Sequence, residues 1–393
     1  MRRLHHMSIS REGLIYLAVM GVILTAAVIR QINLLMLLYG VLAGPLLISW
    51  SLVRRTLKGL EVERKSPKTV MAGEPFRVEL AVSNSKRRGS FAVTARDEML
   101  RREAGAKPIG TDVYFPYVPP KENRTATYQG VIDDRGAYDF QPIKISTRFP
   151  LGLLRTMLRI DKPQRLLVLP RIGKLAPQWQ RLWKADEDAV GGPRRRGGLQ
   201  EGDFYGLREW RSGDARSRIH WRTSARRQAL TVRQYERKRQ LIVTLVVDMW
   251  QPEKPSLDDR RRLEEVVSLS ATVAAEVCRE AGRMLTLEIV GKTTRSVRAA
   301  ASPQVLEESL KNLALAEPTS SERLGEVLKS TFTQLRPGAN VLIVGTRKLT
   351  LDDAAQFPQL ASRPDIRAWV GRAATLTPDD PLWRQLFRRE ETS

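Results

Sequence analysis

Two stretches near the start of the chain, LIYLAVMGVILTAAVI (Leu14–Ile29) and LLMLLYGVLAGPLLISWSLV (Leu34–Val53), decide how everything after them is read. Each is close to the roughly 20 apolar residues a helix needs to cross the hydrocarbon of a bilayer. The second is interrupted by Gly40, Gly44, Pro45 and Ser49, with Ser51 near its end. Taken alone, the first run has the make-up of a secretory leader: Arg2, Arg3 and Arg11 precede it, and the small residues Ala26 and Ala27 lie near its end. The second run directly behind it argues instead for an antiparallel helical hairpin turning at Arg30–Asn33. Arg2, Arg3 and Arg11 stand before the hairpin and Arg54, Arg55 and Lys58 after it, against Arg30 alone in the turn. That bias puts both ends of the hairpin, and so both termini, on the cytoplasmic side. Residues 1–58 are therefore expected to form a transmembrane hairpin with helices at about 14–29 and 34–53.

The remainder is too long for one ordinary core, since the chain has 393 residues, and it divides more naturally into two soluble units. With 66 Lys and Arg against 43 Asp and Glu, the formal charge of +23 draws the chain toward anionic lipid, nucleic acid or acidic protein surfaces. A single cysteine, Cys278, excludes an internal disulfide framework and Cys-rich metal sites, and fits a reducing compartment. There are three histidines, and His5 and His6 sit at the start of the chain, so a histidine-based metal centre is not expected.

From about Gly59 to Phe149 the texture is period-two alternation, as in Phe76–Val82, Phe91–Ala95 and Arg124–Tyr128, broken by turn chemistry at Ala72–Pro75, Asn84–Lys86, Pro119–Pro120 and Asp133–Gly136. Half-buried strands at this spacing predict an immunoglobulin-like β-sandwich over residues 59–165. Residues 166–240 read as a connecting segment in which Gly191–Gly198 forms a mobile linker. After Leu241, apolar strands alternate with amphipathic helices: strands at Leu241–Asp248, Met284–Val290, Asn340–Gly345 and Ile366–Val370, and helices at Asp258–Ala281, Pro303–Leu315 and Ser321–Phe332. That alternation predicts a mostly parallel sheet covered on both faces over residues 241–393, with Asp248 at the ligand-binding end of the first strand.

Chemical motifs are sparse. Gly291-Lys292-Thr293 follows a strand as the end of a phosphate loop would, but the earlier glycine such a loop needs is Thr286, so a plain turn is expected. Asp214, His220 and Ser224 have the residue types of a hydrolytic trio without the nucleophile elbow that would support it. The stretch Gly202–Arg227 is the most distinctive of the chain. Between Arg194 and Arg239 there are 14 Lys and Arg against 5 Asp and Glu, interleaved with Phe204, Tyr205, Trp210 and Trp221. Forked guanidiniums and ring faces of this kind suit a nucleic-acid groove, a protein-binding surface, or a structural boundary in which the arginines pair with Glu201, Asp203, Glu209 and Asp214 and the tryptophans dock on the sheet that follows. Base readers usually declare a recognisable fold and none is visible, so nucleic acid is not the expected partner.

Leu207-Arg208-Glu209-Trp210, Gly213-Asp214, Arg218-Ile219-His220-Trp221, Ser224-Ala225-Arg226 and Val232-Arg233-Gln234-Tyr235-Glu236 together resemble the signature of the domain of unknown function 58 family. The hairpin, Ala72-Gly73-Glu74-Pro75, Asp134-Arg135-Gly136-Ala137-Tyr138 and Thr147–Leu153 are similar to that family's layout as well. The resemblance implies a von Willebrand factor A-like C-terminal domain, and work alongside MoxR-type AAA+ ATPases and other von Willebrand A-domain proteins in an assembly or chaperone-like system, without an established activity. Metal-binding von Willebrand A domains carry Asp-x-Ser-x-Ser after the first strand, because magnesium takes hard oxygen ligands. Here the stretch reads Asp248-Met249-Trp250-Gln251-Pro252, and Thr346 stands where a later Asp is expected. The site is thus expected to be degenerate at Asp248, with Asp248 capping the next turn and no metal or cofactor bound.

These readings converge on a bacterial inner-membrane protein of two passes, with a β-sandwich and a von Willebrand factor A-like α/β domain in the cytoplasm. It is expected to act as a non-enzymatic scaffold or adaptor for a MoxR-type ATPase, whose signature positions are Arg208, Trp210, Gly213, Asp214, Arg218, His220, Trp221, Arg222, Ser224 and Arg226. Arg208, Trp210, Arg218, Trp221 and Arg222 would form a rigid hydrogen-bonded platform. The alternative is a polyanion binder, for nucleic acid or anionic lipid, using the Arg-rich segment.

Overall fold

The structure, a computed structural model, describes residues 4–103, 105–180, 203–236, 241–336, 338–353, 356–361 and 364–388. The expected linker Gly191–Gly198 lies outside the described residues. By internal packing the described residues separate into two compact units, one drawn from residues 4–171 and 310–315, the other from residues 172–309 and 316–388.

The first unit begins with a strand that the sequence reading did not foresee. β1 (Leu4–Ile9) leads into helix α1 (Arg11–Arg30), which turns directly into α2 (Asn33–Thr56). Both helices are longer than expected, and both are long and apolar enough to cross a membrane. Their apolar side chains point outward, with Val22, Ile29 and Leu34 exposed. The buried positions of the pair, Met20, Ala27, Ser49 and Val53, are few. The Tyr16 hydroxyl donates to the Leu42 carbonyl at 2.7 Å and ties the two helices together. Ser10 caps α1 by accepting from the Gly13 N–H at 3.0 Å. At Gly13 a Cβ would stand 2.1 Å from the Leu153 carbonyl oxygen, so only glycine lets the helix start this close to the sheet.

The strands after the hairpin are β2 (Leu60–Lys65), β3 (Thr69–Met71), β4 (Phe76–Asn84), β5 (Ser90–Arg101), β6 (Ile109–Val118), β7 (Asn123–Gly130), β8 (Gly136–Phe140), β9 (Ile143–Thr147), β10 (Leu154–Ile160) and β11 (Arg165–Leu169). They form two sheets. The larger runs β1-β10-β9-β5-β8-β11-β3 with β6 also on β5, and the smaller runs β2-β4-β7. All ladders are antiparallel except β11 with β3. β2 and β4 alternate buried and exposed side chains, the pattern of strands with one wet face. Leu60, Val62, Leu80 and Val82 of the small sheet pack against Val93, Phe115, Ile143 and Ile145 of the large one, so the unit is a two-sheet sandwich. Strand β11 carries it past the expected limit at residue 165. The apolar run Leu166–Leu169 joins the sheet because Leu166 and Val168 find an apolar floor in Phe76, Val78 and Tyr138.

An ion pair is buried in the middle of this sandwich. Arg64 occupies an inward position of β2, where its Nε donates to Asp97 Oδ2 of β5 at 2.9 Å and its Nη2 donates to the other carboxylate oxygen. The Tyr128 hydroxyl of β7 donates to the same carboxylate at 2.8 Å, and Arg64 also reaches the carbonyls of Lys162 and Gln141 at 3.2 and 3.1 Å. Neither charged side chain has any exposed surface. Burial, and after it the Asp97 charge, push the Tyr128 hydroxyl well above its ordinary pKa, so it stays a donor.

The second unit contains β12 (Lys174–Leu175), β13 (Asp203–Glu209), α3 (Trp221–Arg227), β14 (Thr231–Glu236), β15 (Ile242–Asp248), α4 (Leu257–Arg279), β16 (Met284–Val290), β17 (Arg295–Ala300), α5 (Pro303–Ala314, the end of which belongs to the first unit), α6 (Leu324–Gln334), β18 (Ala339–Gly345), α7 (Pro358–Ala361), α8 (Pro364–Val370), β19 (Ala374–Leu376), α9 (Pro381–Leu386) and β20 (Phe387–Arg388). Five strands make one sheet in the order β17-β16-β15-β18-β19, parallel but for the edge strand β17. β15 is buried along nearly its whole length, as befits a central strand covered on both faces. Ser256 and Asp259 form a capping box that starts α4. The expected strand at Ile366–Val370 is a helix instead, and the fourth parallel strand is Ala374–Leu376. Ile366 and Val370 are both buried one helical turn apart, a spacing that suits a helix and not a strand.

Removing one partner of the buried pair leaves the other charge uncompensated. Asp97→Ala is expected to destabilise the sandwich by about 3–5 kcal/mol, whereas Arg96→Gln, on the exposed face of the same strand, costs less than about 1 kcal/mol. Chemical unfolding of the full-length protein in detergent, followed by tryptophan fluorescence, checks both; equal losses would place the stability elsewhere.

Candidate functional site

The signature segment folds as a twisted two-stranded ribbon, β13 against β14, enclosing a loop and α3. The register shifts between Phe204 and Gly206, so a bulge bends β13 near its start. Arg208, near the end of β13, holds Asp214 by two parallel bonds, Nη1 to Oδ2 at 2.6 Å and Nη2 to Oδ1 at 2.7 Å. Asp214 Oδ2 also accepts from the Arg211 N–H at 2.9 Å, and the Trp210 indole donates to the Asp214 carbonyl at 3.3 Å. Gly213, with φ +100°, supplies the backbone turn that brings Asp214 back to Arg208. The Asp214 bonds raise the Arg208 pKa further above its already high value.

His220 and Ser224 serve the backbone. His220 is the N-cap of α3, its Nδ1 accepting from the Thr223 N–H at 3.3 Å. Ser224 is buried, with its Oγ accepting from the Thr231 N–H at 2.9 Å and donating to the His220 carbonyl at 3.1 Å. The His220 N–H in turn donates to the Thr231 carbonyl at 2.8 Å. Among the described contacts, then, Asp214 does not touch His220, and the Ser224 hydroxyl is committed to two main-chain partners. The three residues are separate structural fasteners, and no hydrolytic trio is assembled.

Only part of the expected platform lies in this network. Arg208 and Trp210 belong to it, and Arg218 is half-buried and partnered. Trp221 corrects the expectation that the tryptophans dock: it is 65% exposed. Arg222 and Arg226 are exposed one turn apart on α3 and make no hydrogen bond or ion pair among the described residues. The helix is thus pinned through His220 and Ser224 while its free face displays an indole and two guanidiniums.

Asp248 lies at the carboxyl end of β15, level with Val290 of β16 and Gly345 of β18. It accepts from the backbone N–H of Trp250, so it caps the turn that follows. Arg347 lies beside it, with Nε 3.9 Å from Asp248 Oδ2. The same guanidinium pairs with both carboxylate oxygens of Glu322 and stacks 4.4 Å over the Trp250 ring. Thr346 donates to the Trp250 carbonyl at 2.7 Å instead of facing an ion. Among the described residues no three His, Cys, Asp or Glu side chains come together as metal ligands. A guanidinium brings positive charge close to Asp248, a role for Arg347 that sequence reading missed because it lies about one hundred positions away. Burial pushes the Asp248 carboxyl up to about 6; Arg347 pulls it down and Glu322 pushes it up by less. At Gly291-Lys292-Thr293 the Lys292 N–H already donates to the Glu317 carbonyl at 3.0 Å, so this is a turn and not a phosphate cradle.

Residues 206–367, which hold both the ribbon and Asp248, match the family model described as protein of unknown function DUF58. That stretch, less than half of the chain, is similar to the DUF58 family. The uncharacterized protein YeaD of Bacillus subtilis is 23% identical over 250 residues, which are 63% of this chain and 59% of the relative, so the chain spans less than two thirds of that relative's length. Solved structures with some likeness include the CARDB domain of a Pyrococcus furiosus protein, at 17% identity and TM-score 0.19 over 28% of this chain and 91% of that one. Another is the C-terminal domain of Wzt, at 14% identity and TM-score 0.23 over 28% of this chain and 73% of that one. Likenesses of this size carry neither fold nor function. The DUF58 match ends within α8, so it covers most of the parallel sheet but stops short of β19.

The raised carboxyl gives a signed pH effect. A group that holds its proton more tightly when folded makes stability fall as pH rises from its unfolded value of 3.8 to about 6. Asp248→Asn is expected to flatten that part of the stability profile and to be more stable than wild type above pH 6, by up to about 3 kcal/mol. Urea unfolding between these pH limits measures the difference, and parallel profiles for the two proteins would disprove the burial penalty.

Proposed function

We propose that the chain is a member of the DUF58 family and a two-pass membrane adaptor that performs no chemistry and offers the exposed face of α3 to a protein partner. The observation that carries the reading is Trp221: a large indole is held out in solvent by a helix fastened at its N-cap and its middle, beside Arg222 and Arg226, which pair with nothing described. Trp and Arg on a rigid support are the residues that dominate protein interfaces, because they bury much area at little conformational cost. The polar groups with catalytic chemistry, Asp214, His220 and Ser224, are spent on the scaffold, which favours an adaptor over an enzyme. The family resemblance points to a MoxR-type AAA+ ATPase as the partner, together with other von Willebrand A-domain proteins.

The finer fold belongs to the same proposal. An order of β17-β16-β15-β18-β19 with an antiparallel edge at β17, and an acidic residue closing the first strand, favours a von Willebrand factor A-like domain with a degenerate metal site. The two-sheet sandwich favours an immunoglobulin-like module. Orientation follows from two supports. β1 and β2 flank the hairpin and lie in one sandwich, so an even number of crossings joins them, and the basic flanks favour the cytoplasmic side of a bacterial inner membrane.

Crosslinking pull-down from native membranes tests the adaptor. Trp221→Ala with Arg222→Ala, both exposed, should leave the unfolding midpoint in place and reduce recovery of an AAA+ ATPase by at least about tenfold. Recovery of salt-released nucleic acid and no ATPase with either protein would replace the adaptor by a polyanion binder.

A further inference from the structure

The outer face of the large sheet holds an open groove of about 710 Å³ that no part of the adaptor reading uses. Its two ends differ in charge. At one end Lys144 and Arg96 both bond Glu98, each at 2.7 Å, and Arg96 lies 3.9 Å from Asp112, so that end is neutralised from within. At the other end stand Arg148 and Arg155. Arg148 is exposed and makes no hydrogen bond or ion pair among the described residues. Arg155 spends one nitrogen on Ser146 at 3.3 Å, while its buried Nε has no acceptor. Two guanidiniums therefore converge with donors unfilled, and what they lack is an anion with several acceptor oxygens.

That same end lies where the chain enters and leaves the hairpin. The Ser10 N–H donates to the Leu153 carbonyl at 3.1 Å and the Ser10 hydroxyl to the Gly152 carbonyl at 2.6 Å, and the charge of Arg148 is felt by Glu12 in the first turn of α1. At the other helix, Ser90 donates to the Thr56 carbonyl that ends α2, and beside it Phe91 meets Tyr117 at 4.7 Å and Phe149 at 5.0 Å. Phe91, Tyr117 and Leu151 are all more than 40% exposed at this edge. Exposed aromatic rings at the base of two spanning helices are the side chains that settle at headgroup depth. The groove thus opens onto the bilayer surface with its unfilled cationic end foremost.

We infer that the groove is a binding site for an anionic phospholipid, with Arg148 and Arg155 holding the headgroup phosphate while the acyl chains stay in the bilayer beside α1. The inference rests on the reading that the hairpin spans a membrane. It explains why these two arginines of the groove are left without carboxylates, and it gives the sandwich a preferred seat on an acidic leaflet.

The full-length protein reconstituted into phosphatidylcholine nanodiscs doped with phosphatidylglycerol, then released gently and read by native mass spectrometry, tests it. Wild type should retain phosphatidylglycerol over phosphatidylcholine by about tenfold or more, and Arg148→Gln with Arg155→Gln should bring the ratio close to one. Arg124→Gln, on the smaller sheet, should leave it unchanged. Should the double variant melt early, Arg148→Gln alone, an exposed change, should still lower the ratio severalfold. Retention by the double variant equal to wild type overturns the site, and failure of the protein to enter nanodiscs overturns the membrane reading beneath it. Glycerol 3-phosphate displacing the lipid at equal concentration would overturn the lipid assignment in favour of a soluble phosphate ester.

Discussion

The pairing of β1 with β10 is the constraint on which the first unit depends. A six-residue strand at the start of the chain runs antiparallel to Leu154–Arg159, and the helix that follows starts on the loop before β10. The entry of α1 is thereby fixed to the same sandwich that begins where α2 ends. A hairpin clamped at both feet cannot pivot freely against the body below it, because Ser10, Gly13, Val53, Leu153 and Leu154 form one packed and hydrogen-bonded joint. The geometry at the foot of the hairpin, including its exposed aromatic rings, follows from that joint.

Inside the sandwich, polarity does the work that register alone would leave open. A period-two strand can slip, and a slip of one residue turns every inward side chain out. Arg64 and Asp97 oppose such a slip across the two sheets, since any other register would strand a charge in an apolar core. Tyr128 and the carbonyls of Lys162 and Gln141 complete the set of partners, so the pair is tolerated as well as specific.

The second unit shows a different use of charge. Arg208 with Asp214, and Arg347 with Glu322 and Trp250, are closed arrangements that stiffen loops at the edge of strands. Asp248 closes the central strand of its sheet with the Arg347 guanidinium beside it. Against this background the side chains left open, Trp221, Arg222 and Arg226 in one unit and Arg148 and Arg155 in the other, are the exceptions from which binding is argued.

Much of the architecture was legible in the residues themselves. Continuous apolar runs announce spanning helices, alternation announces half-buried strands, and the Leu241–Asp248 stretch announces a central parallel strand, because each pattern is a local record of which side chains must avoid water. The signature positions of the ribbon could be named from the sequence, yet their division into fasteners and free side chains could not. β1 was hidden because Leu4–Ile9 is short and polar and becomes a strand only where β10 offers an unpaired edge. Ile366–Val370 read as a strand because five residues fit either period until packing chooses. The sequence by itself determined which segments are continuously apolar and which alternate, since those are properties of neighbours along the chain. Only the tertiary structure decided that Arg347 meets Asp248, that Arg64 meets Asp97 and that Arg148 and Arg155 have no ion-pair partner among the described residues, because an electrostatic partner is set by distance in space and not by position in the chain.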